Sequence, residues 1–123
     1  MVFKTKHIRG HGRGHSLGFP TINCTIPDDF ILEDGVYAVW VEIGGVTYKG
    51  ALHFGPVPTF DQKEKTLEVY LLDVTDDTAP LTGEMPIEVD IVNRVRDIRR
   101  FTDSSSLSAQ IALDVAMIRK ILS

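Results

Sequence analysis

The chain reads as a series of short alternating segments followed by one stretch of helical period. Apolar residues at every second position place one face of a strand toward a core. Val2–Arg9 alternates weakly and is predicted as a first strand. In Thr21–Ile26 the apolar residues Ile22, Cys24 and Ile26 interleave with Thr21, Asn23 and Thr25. Pro27-Asp28-Asp29 turns the chain, and Ile31–Gly35 connects to a β-rich segment, Val36–Ile43. Gly44-Gly45 predicts a tight hairpin, because both residues accept positive φ, and Val46–Phe54 returns beside the preceding strand. Gly55-Pro56-Val57-Pro58 breaks that run. Thr66–Asp73 is a further strand, with Leu67, Val69 and Leu71 on one face and Glu68, Tyr70 and Leu72 on the other. A polar loop ending at Pro80–Gly83 leads to Met85–Ile91, whose Met85, Ile87, Val89 and Ile91 share a face.

The period then changes. Leu107, Ile111, Val115, Ile118 and Leu122 recur at helical spacing. Ser104, Ser105 and Ser106 offer capping oxygens ahead of them, and Asp103 adds negative charge where the helix dipole favours it. Arg119 and Lys120 suit the other end. Strands joined by short turns, with one terminal helix, predict a mainly β fold. Closing the sheet into a small barrel, plugged or flanked by the helix, removes exposed strand edges. An open α+β sandwich is the alternative. Tyr37, Trp40 and Tyr48 are expected as core or cross-strand residues.

Composition narrows the class. A chain of 123 residues is one domain's worth, and residues 1–123 are read as a single domain able to bury a core without staples. The formal net charge of −4 gives no general drive toward nucleic acid or anionic membrane. Cys24 is the only cysteine, so no internal disulfide forms, and its apolar setting predicts a buried thiol. Met1–Gly10 is polar and unlike a signal peptide, and no apolar run reaches membrane-spanning length. The expectation is a soluble cytoplasmic protein, a monomer, with no membrane or nucleic-acid partner.

Candidate chemistry gathers in two places. Gly10-His11-Gly12-Arg13-Gly14 is rich in unhindered backbone N–H groups of the kind that wrap phosphates. Thr21 and Asn23 follow it and point the same way, as neutral oxygen ligands that can hold Mg²⁺ together with phosphates. The glycine spacing matches neither a P-loop nor the dinucleotide fingerprint, and a mobile hairpin is the plain alternative. Glu68 is the second place. A carboxylate on a strand face among apolar neighbours can be desolvated and accept a proton from a hydroxyl, whereas on an open face it is simply solvated. His7, His11 and His15 are spaced like helical metal ligands, but the intervening glycines oppose a helix. Arg94, Arg96, Arg99 and Arg100 form a basic cluster without an aromatic ladder, which reads first as a solvated surface.

The stretch Gly14-His15-Ser16-Leu17-Gly18-Phe19-Pro20-Thr21-Ile22-Asn23 resembles the Pro-Thr-x-Asn signature of riboflavin kinases. Leu67-Glu68-Val69-Tyr70-Leu71-Leu72-Asp73 is similar to the family's Leu-Glu-Val-His-Leu-Leu-Asp strand, and Leu107, Gln110, Ile111 and Asp114 fit its Leu-x-x-Gln-Ile-x-x-Asp helix. The resemblance runs from about Arg9 to Ile118. It implies a six-stranded antiparallel Greek-key β-barrel with a C-terminal α-helix, and transfer of the γ-phosphate of ATP to riboflavin, giving FMN and ADP. It also implies Glu68 as general base, Gly10, Gly12, Gly14, His15 and Thr21 at the nucleotide, and Thr21 and Asn23 at Mg²⁺ or another divalent cation. Arg96 and Phe101 would lie near the flavin, matching the family's Ile-Arg-x-Glu-x-x-Phe segment, of which Asp97 and Arg99 replace parts.

Three departures stand out. His15 replaces the usual Arg or Lys, leaving Arg13 as the nearest cation; His53 stands near a usual Asn; Val57 stands where bacterial members have Arg. A non-catalytic flavin- or nucleotide-binding barrel that drifted at these positions is the rival reading. Many bacterial members carry a fused FMN adenylyltransferase, for which 123 residues leave no room, so the chain is either stand-alone or cut from a longer protein.

Overall fold

The computed structural model describes residues 1–8, 21–56, 64–74 and 86–123. Six strands and one helix follow in order: β1 (Val2–Lys6), β2 (Thr21–Cys24), β3 (Gly35–Ile43), β4 (Val46–Gly55), β5 (Thr66–Leu71), β6 (Pro86–Arg96) and α1 (Ser104–Ile121). They form one sheet in the order β1-β6-β3-β4-β5-β2, with every pairing antiparallel. β3, β4 and β5 make a meander, and β6 returns to lie beside β3, which is the Greek-key order.

The two outer strands meet. His7 bridges Cys24, Ile8 N donates to Asn23 O at 2.7 Å, and Thr25 N donates to Lys6 O at 2.9 Å. Thr5 Oγ1 adds a bond to Thr25 O at 2.5 Å. The sheet thus curls into the barrel that the alternation predicted, and its edges satisfy one another.

The hairpin at Gly44-Gly45 is as expected: φ is +58° and +80°, and Ile43 pairs directly with Val46. Strand ends differ from the sequence reading. β1 and β2 stop at Lys6 and Cys24, with His7 and Thr25 in the closure described above. β5 stops at Leu71, with Asp73 at φ +61°. β6 runs on to Arg96, five residues beyond the expected end at Ile91. Two register shifts against β3, at Val36/Tyr37 and Ala38/Val39, break the alternation of Val92–Arg96 and hid that extension. Met85, the Pro80–Gly83 loop end and the Pro-Val-Pro break at 56–58, except Pro56, lie outside the described residues.

Two apolar layers sit on either side of the sheet. The inner one fills the barrel and includes Ile22, Val39, Leu52, Leu67, Val69 and Val89. Each such aliphatic side chain contributes roughly 1.5–3 kcal/mol on full burial. Phe30 packs edge-on between Phe3 and Phe54, with ring centroids 4.8 and 5.1 Å away. The outer layer joins Ala38, Ala51 and Leu72 of the sheet to Ile111, Val115, Ile118 and Leu122 of α1. The small side chains of Ala38 and Ala51 let the helix approach the sheet closely. β3 therefore buries both faces through its first half, which explains why its sequence shows little polar alternation.

Asp103, rather than one of the serines, caps α1. Its backbone is extended (φ −150°, ψ 168°), and its Oδ1 accepts from Ser106 N at 2.7 Å. That bond holds its carboxyl below the usual carboxylate range. Ser104–Ser106 fall in the first turn instead. At the far end Arg119 reaches Asp73 at 2.6 Å, tying the last turn to the chain after β5.

Candidate functional site

The register of the sheet places the candidates in a single cross-strand row. Asn23 on β2 lies opposite Glu68 on β5; Glu68 lies opposite His53 on β4; His53 lies opposite Val36 on β3; and Val36 lies opposite Arg96 on β6. Opposed residues of an antiparallel pair project from the same face, with Cβ atoms about 4.5–5.5 Å apart. A second row, two residues along each strand, holds Thr21, Tyr70, Ala51 and Ala38. Thr21 and Asn23 therefore do point the same way, and they border Glu68 and Tyr70. The row lies on the outer face of the barrel, the face against which α1 packs, not in the lumen.

Glu68 is buried, with 1% of its surface exposed, so it is not the solvated carboxylate of an open strand face. Leu67 and Val69 on either side turn inward to the barrel core. Glu68 thus sits at the one position where the strand's alternation carries a carboxylate into a dry layer. Thr21 and Asn23 are also buried, at 8% and 7% exposure. Cys24, next along β2, has its thiol pushed up to about 12, first by burial and then by the charge of Glu68. It is an unreactive core thiol, as the sequence suggested.

Arg96 ends the row beneath the helix. Its Nε donates to Asp114 Oδ1 at 2.8 Å and its Nη2 to Asp114 Oδ2 at 2.8 Å, a bidentate fork. Nη1 donates to Asp97 O at 3.0 Å, and Gln110 Nε2 donates to Asp114 Oδ1 at 3.0 Å. The Arg96 guanidinium carbon lies 5.9 Å from the centre of the Phe101 ring, so the two flavin candidates are together. Asp114 and Gln110 matched only a helix pattern in the sequence; their role as the anchor of Arg96 emerges from the fold. The signal was there, since a carboxylate and an amide four residues apart interrupt the apolar stripe of Ile111 and Val115. His53 at the centre of the row was likewise visible only as a departure from a family pattern. Its alignment with Glu68 depends on β4–β5 pairing.

Between sheet and helix lies a cavity of about 10 Å³ lined by His53, Tyr70, Arg96 and Asp114 among apolar neighbours. That is room for about one water molecule. The basic cluster is partly neutralised. Arg94 donates to Asp97 Oδ1 and to Asp34 O, both at 2.6 Å, and the Asp97 contact holds its guanidinium more firmly protonated than usual.

Gly10, Gly12, Gly14 and His15, with His11 and Arg13, lie outside the described residues, as does Val57. Among the described residues no group of three or more His, Cys, Asp or Glu side chains is placed to hold a metal ion. Thr21 and Asn23 fit a different arrangement: neutral oxygen donors suit a hard cation that keeps most of its ligands as water and phosphate. No helix of the described residues is long and apolar enough to cross a membrane.

Fold and site together define a Greek-key barrel whose polar row is built on the outside of the sheet, beneath a terminal helix. The family model for riboflavin kinase (Flavokinase) matches residues 1–122, and the chain belongs to that family. The bifunctional riboflavin kinase/FMN adenylyltransferase of Buchnera aphidicola is 35% identical over 116 residues, covering 92% of this chain and 36% of its own length. An RNA-binding riboflavin kinase of Bacillus subtilis is 35% identical over 114 residues, covering 92% of this chain and 47% of its own. The chain thus spans between a third and a half of these curated relatives.

Among solved structures, one titled as a macrolide-efflux protein from Streptococcus pneumoniae superposes with a TM-score of 0.79 and 29% identity, covering 96% of this chain and 38% of that one. The riboflavin kinase from Trypanosoma brucei shares the fold, with a TM-score of 0.65 at 19% identity, covering 98% of this chain and 78% of that one.

Proposed function

We propose that this chain is a riboflavin kinase domain that transfers the γ-phosphoryl group of ATP to the 5′-hydroxyl of riboflavin, giving FMN and ADP. The observation that carries the reading is the outer row in which buried Glu68 is bordered by Asn23, with Thr21 on the same face, in a chain of the flavokinase family. Residues 1–123 act as one domain of this kind.

Phosphoryl transfer is mostly positioning and charge neutralisation. Glu68 accepts the proton of the attacking hydroxyl; a dry, fixed carboxylate suits that task because its acceptor oxygens are not lost to bulk water. Thr21 and Asn23 hold the divalent cation, which when bound neutralises phosphate charge. Gly10, Gly12, Gly14 and His15 serve the nucleotide, together with Thr21. Arg96, set rigidly by Asp114, and Phe101 beside it border the flavin.

The partners proposed are small molecules only. Arg94 and Arg96 are engaged by Asp97 and Asp114, which supports that reading over a nucleic-acid one. A monomer in a reducing cytoplasm, where ATP and a free thiol are at home, completes the proposal.

The test is conversion of riboflavin to FMN with ATP and Mg²⁺, resolved by chromatography. Wild type is expected to form FMN. Glu68→Gln keeps the fold and loses about 10²–10⁴-fold in kcat, the usual contribution of a general base. Unchanged turnover in that variant removes Glu68 from its role. No FMN from wild type, with flavin binding retained, identifies a non-catalytic flavin-binding barrel.

A further inference from the structure

The polar contacts beneath α1 form a relay from the helix to the sheet. Gln110 Nε2 donates to Asp114 Oδ1 at 3.0 Å, one helical turn away. Asp114 in turn takes the Nε and Nη2 edge of Arg96, with 2.8 Å to each oxygen. Arg96 Nη1 donates to Asp97 O at 3.0 Å. All three guanidinium nitrogens thus donate to the protein, and the planar face is the surface that Arg96 keeps for a flat ligand. Phe101, half-buried, supplies a second planar surface, its ring centre 5.9 Å from the guanidinium carbon. The cavity bordered by Arg96 and Asp114 is only about 10 Å³, far too small for an aromatic ligand. A flat ring therefore meets this pair from the Phe101 side, not from beneath the helix.

Asp114 sets the plane of that face, but Arg96 alone does not set the plane of Asp114. A carboxylate turns readily about its Cβ–Cγ bond and can keep a single contact with a guanidinium as it does so. A further donor from a fixed direction selects the two-pronged arrangement. Gln110 supplies it from a half-buried position beside buried Ile111. Its amide is neutral, so it donates without competing with Arg96 for the carboxylate's charge. We propose that Gln110 is a positioning residue for the flavin: through Asp114 it sets the plane of the Arg96 guanidinium that riboflavin meets beside Phe101. This inference rests on the kinase reading, with Arg96 and Phe101 as the flavin's neighbours. A guanidinium ordered in advance spares binding the entropy of fixing a long side chain. The effect belongs to the flavin, because Glu68, Thr21 and Asn23 lie across β3 and β4 from Arg96 along the sheet.

Two variants read this directly. Gln110→Met keeps the reach of the side chain without a donor. Gln110→Glu keeps its shape and sets an acceptor against Asp114. Riboflavin affinity is read from the flavin's own fluorescence with ADP and Mg²⁺ present, where no transfer occurs, and then from steady-state kinetics with ATP. The expected result is a Kd and KM for riboflavin raised roughly 3-fold or more in Gln110→Met and roughly 10-fold in Gln110→Glu, with kcat and KM for ATP within about twofold. Gln110→Met added to Asp114→Asn should weaken riboflavin binding little further, because a residue acting through that carboxylate has nothing left to fix.

Wild-type riboflavin affinity in both variants, a loss shared equally by riboflavin and ATP, a fall confined to kcat, or full additivity with Asp114→Asn would each overturn the proposal. A lowered thermal melt with unchanged riboflavin affinity does so too, since it marks Gln110 as a purely structural contact. If Gln110→Glu fails to fold, judged by that melt, Gln110→Met decides by the same criteria. Wild type that forms no FMN yet binds riboflavin, with the expected loss in the variants, overturns the kinase reading and leaves this inference standing. Wild type that neither forms FMN nor binds riboflavin overturns both. FMN formation by wild type with indifferent Gln110 variants overturns this inference alone.

Discussion

At Cys24 the two influences of this layered sheet meet. The thiol faces the barrel interior and feels the Glu68 carboxylate on the neighbouring strand, and both effects disfavour the thiolate. Its folded pKa, about 12, lies above the ordinary 9.0, so the folded chain keeps a proton that the unfolded chain releases. Stability from this group is therefore fully present below about 9 and falls as pH rises toward 12. Urea titrations of wild type and Cys24→Ala across that window should show a steeper loss in wild type. At pH 8 the native thiol should resist an aromatic disulfide reagent and react only on unfolding.

Asp114 gives the opposite case, a buried charge that is satisfied. Its side chain is 7% exposed and that of Arg96 16%, so removing one partner strands the other. Asp114→Ala should cost about 3 kcal/mol, the lower end for buried pairs because Arg96 retains some contact with water. Denaturant unfolding measures this, and a change under about 1 kcal/mol would mean that Arg96 finds another partner or more water.

Elements were legible where a local signal decides them. The turn into β4 follows from Gly44-Gly45, and α1 follows from the helical recurrence of Ile111, Val115 and Ile118. The alternation of β6 is readable only as far as Ile91, because its bulged pairing with β3 shifts which side chains face inward beyond that point. The capping residue also depended on backbone shape. Asp and Ser are comparable caps, and only the extended backbone at Asp103 places its carboxylate at Ser106 N. Asp103→Ala should accordingly lower the melting temperature and shift helix loss, followed by far-ultraviolet circular dichroism, to lower temperature. Because the folded carboxyl has a depressed pKa, its stabilisation is present above the unfolded carboxylate range and is lost as pH falls through the folded value. The difference between wild type and Asp103→Ala should therefore shrink in acid. Within the candidate site, Thr21 and Asn23 were legible as polar residues sharing one face of their strand, and Glu68 as a carboxylate on the face opposite Leu67 and Val69. Their alignment with His53 was not, because it depends on which strands become neighbours.

For the molecule as a whole, two layers share one sheet. The inner layer closes the barrel, while the outer layer seats the helix and carries the polar row. That division lets a carboxylate be buried without interrupting the core, and it lets α1 hold Arg96 through Asp114 while packing on Ala38 and Ala51. The order of the strands also sets a timetable. Val2 pairs with Asp90, and His7 meets Cys24 across the seam. On a ribosome adding roughly 5–20 residues per second, β1 emerges first and then waits several seconds for β6 to be made. The meander of β3, β4 and β5 can form in that interval from neighbouring segments, and the strand synthesised earliest is among the last to find its place.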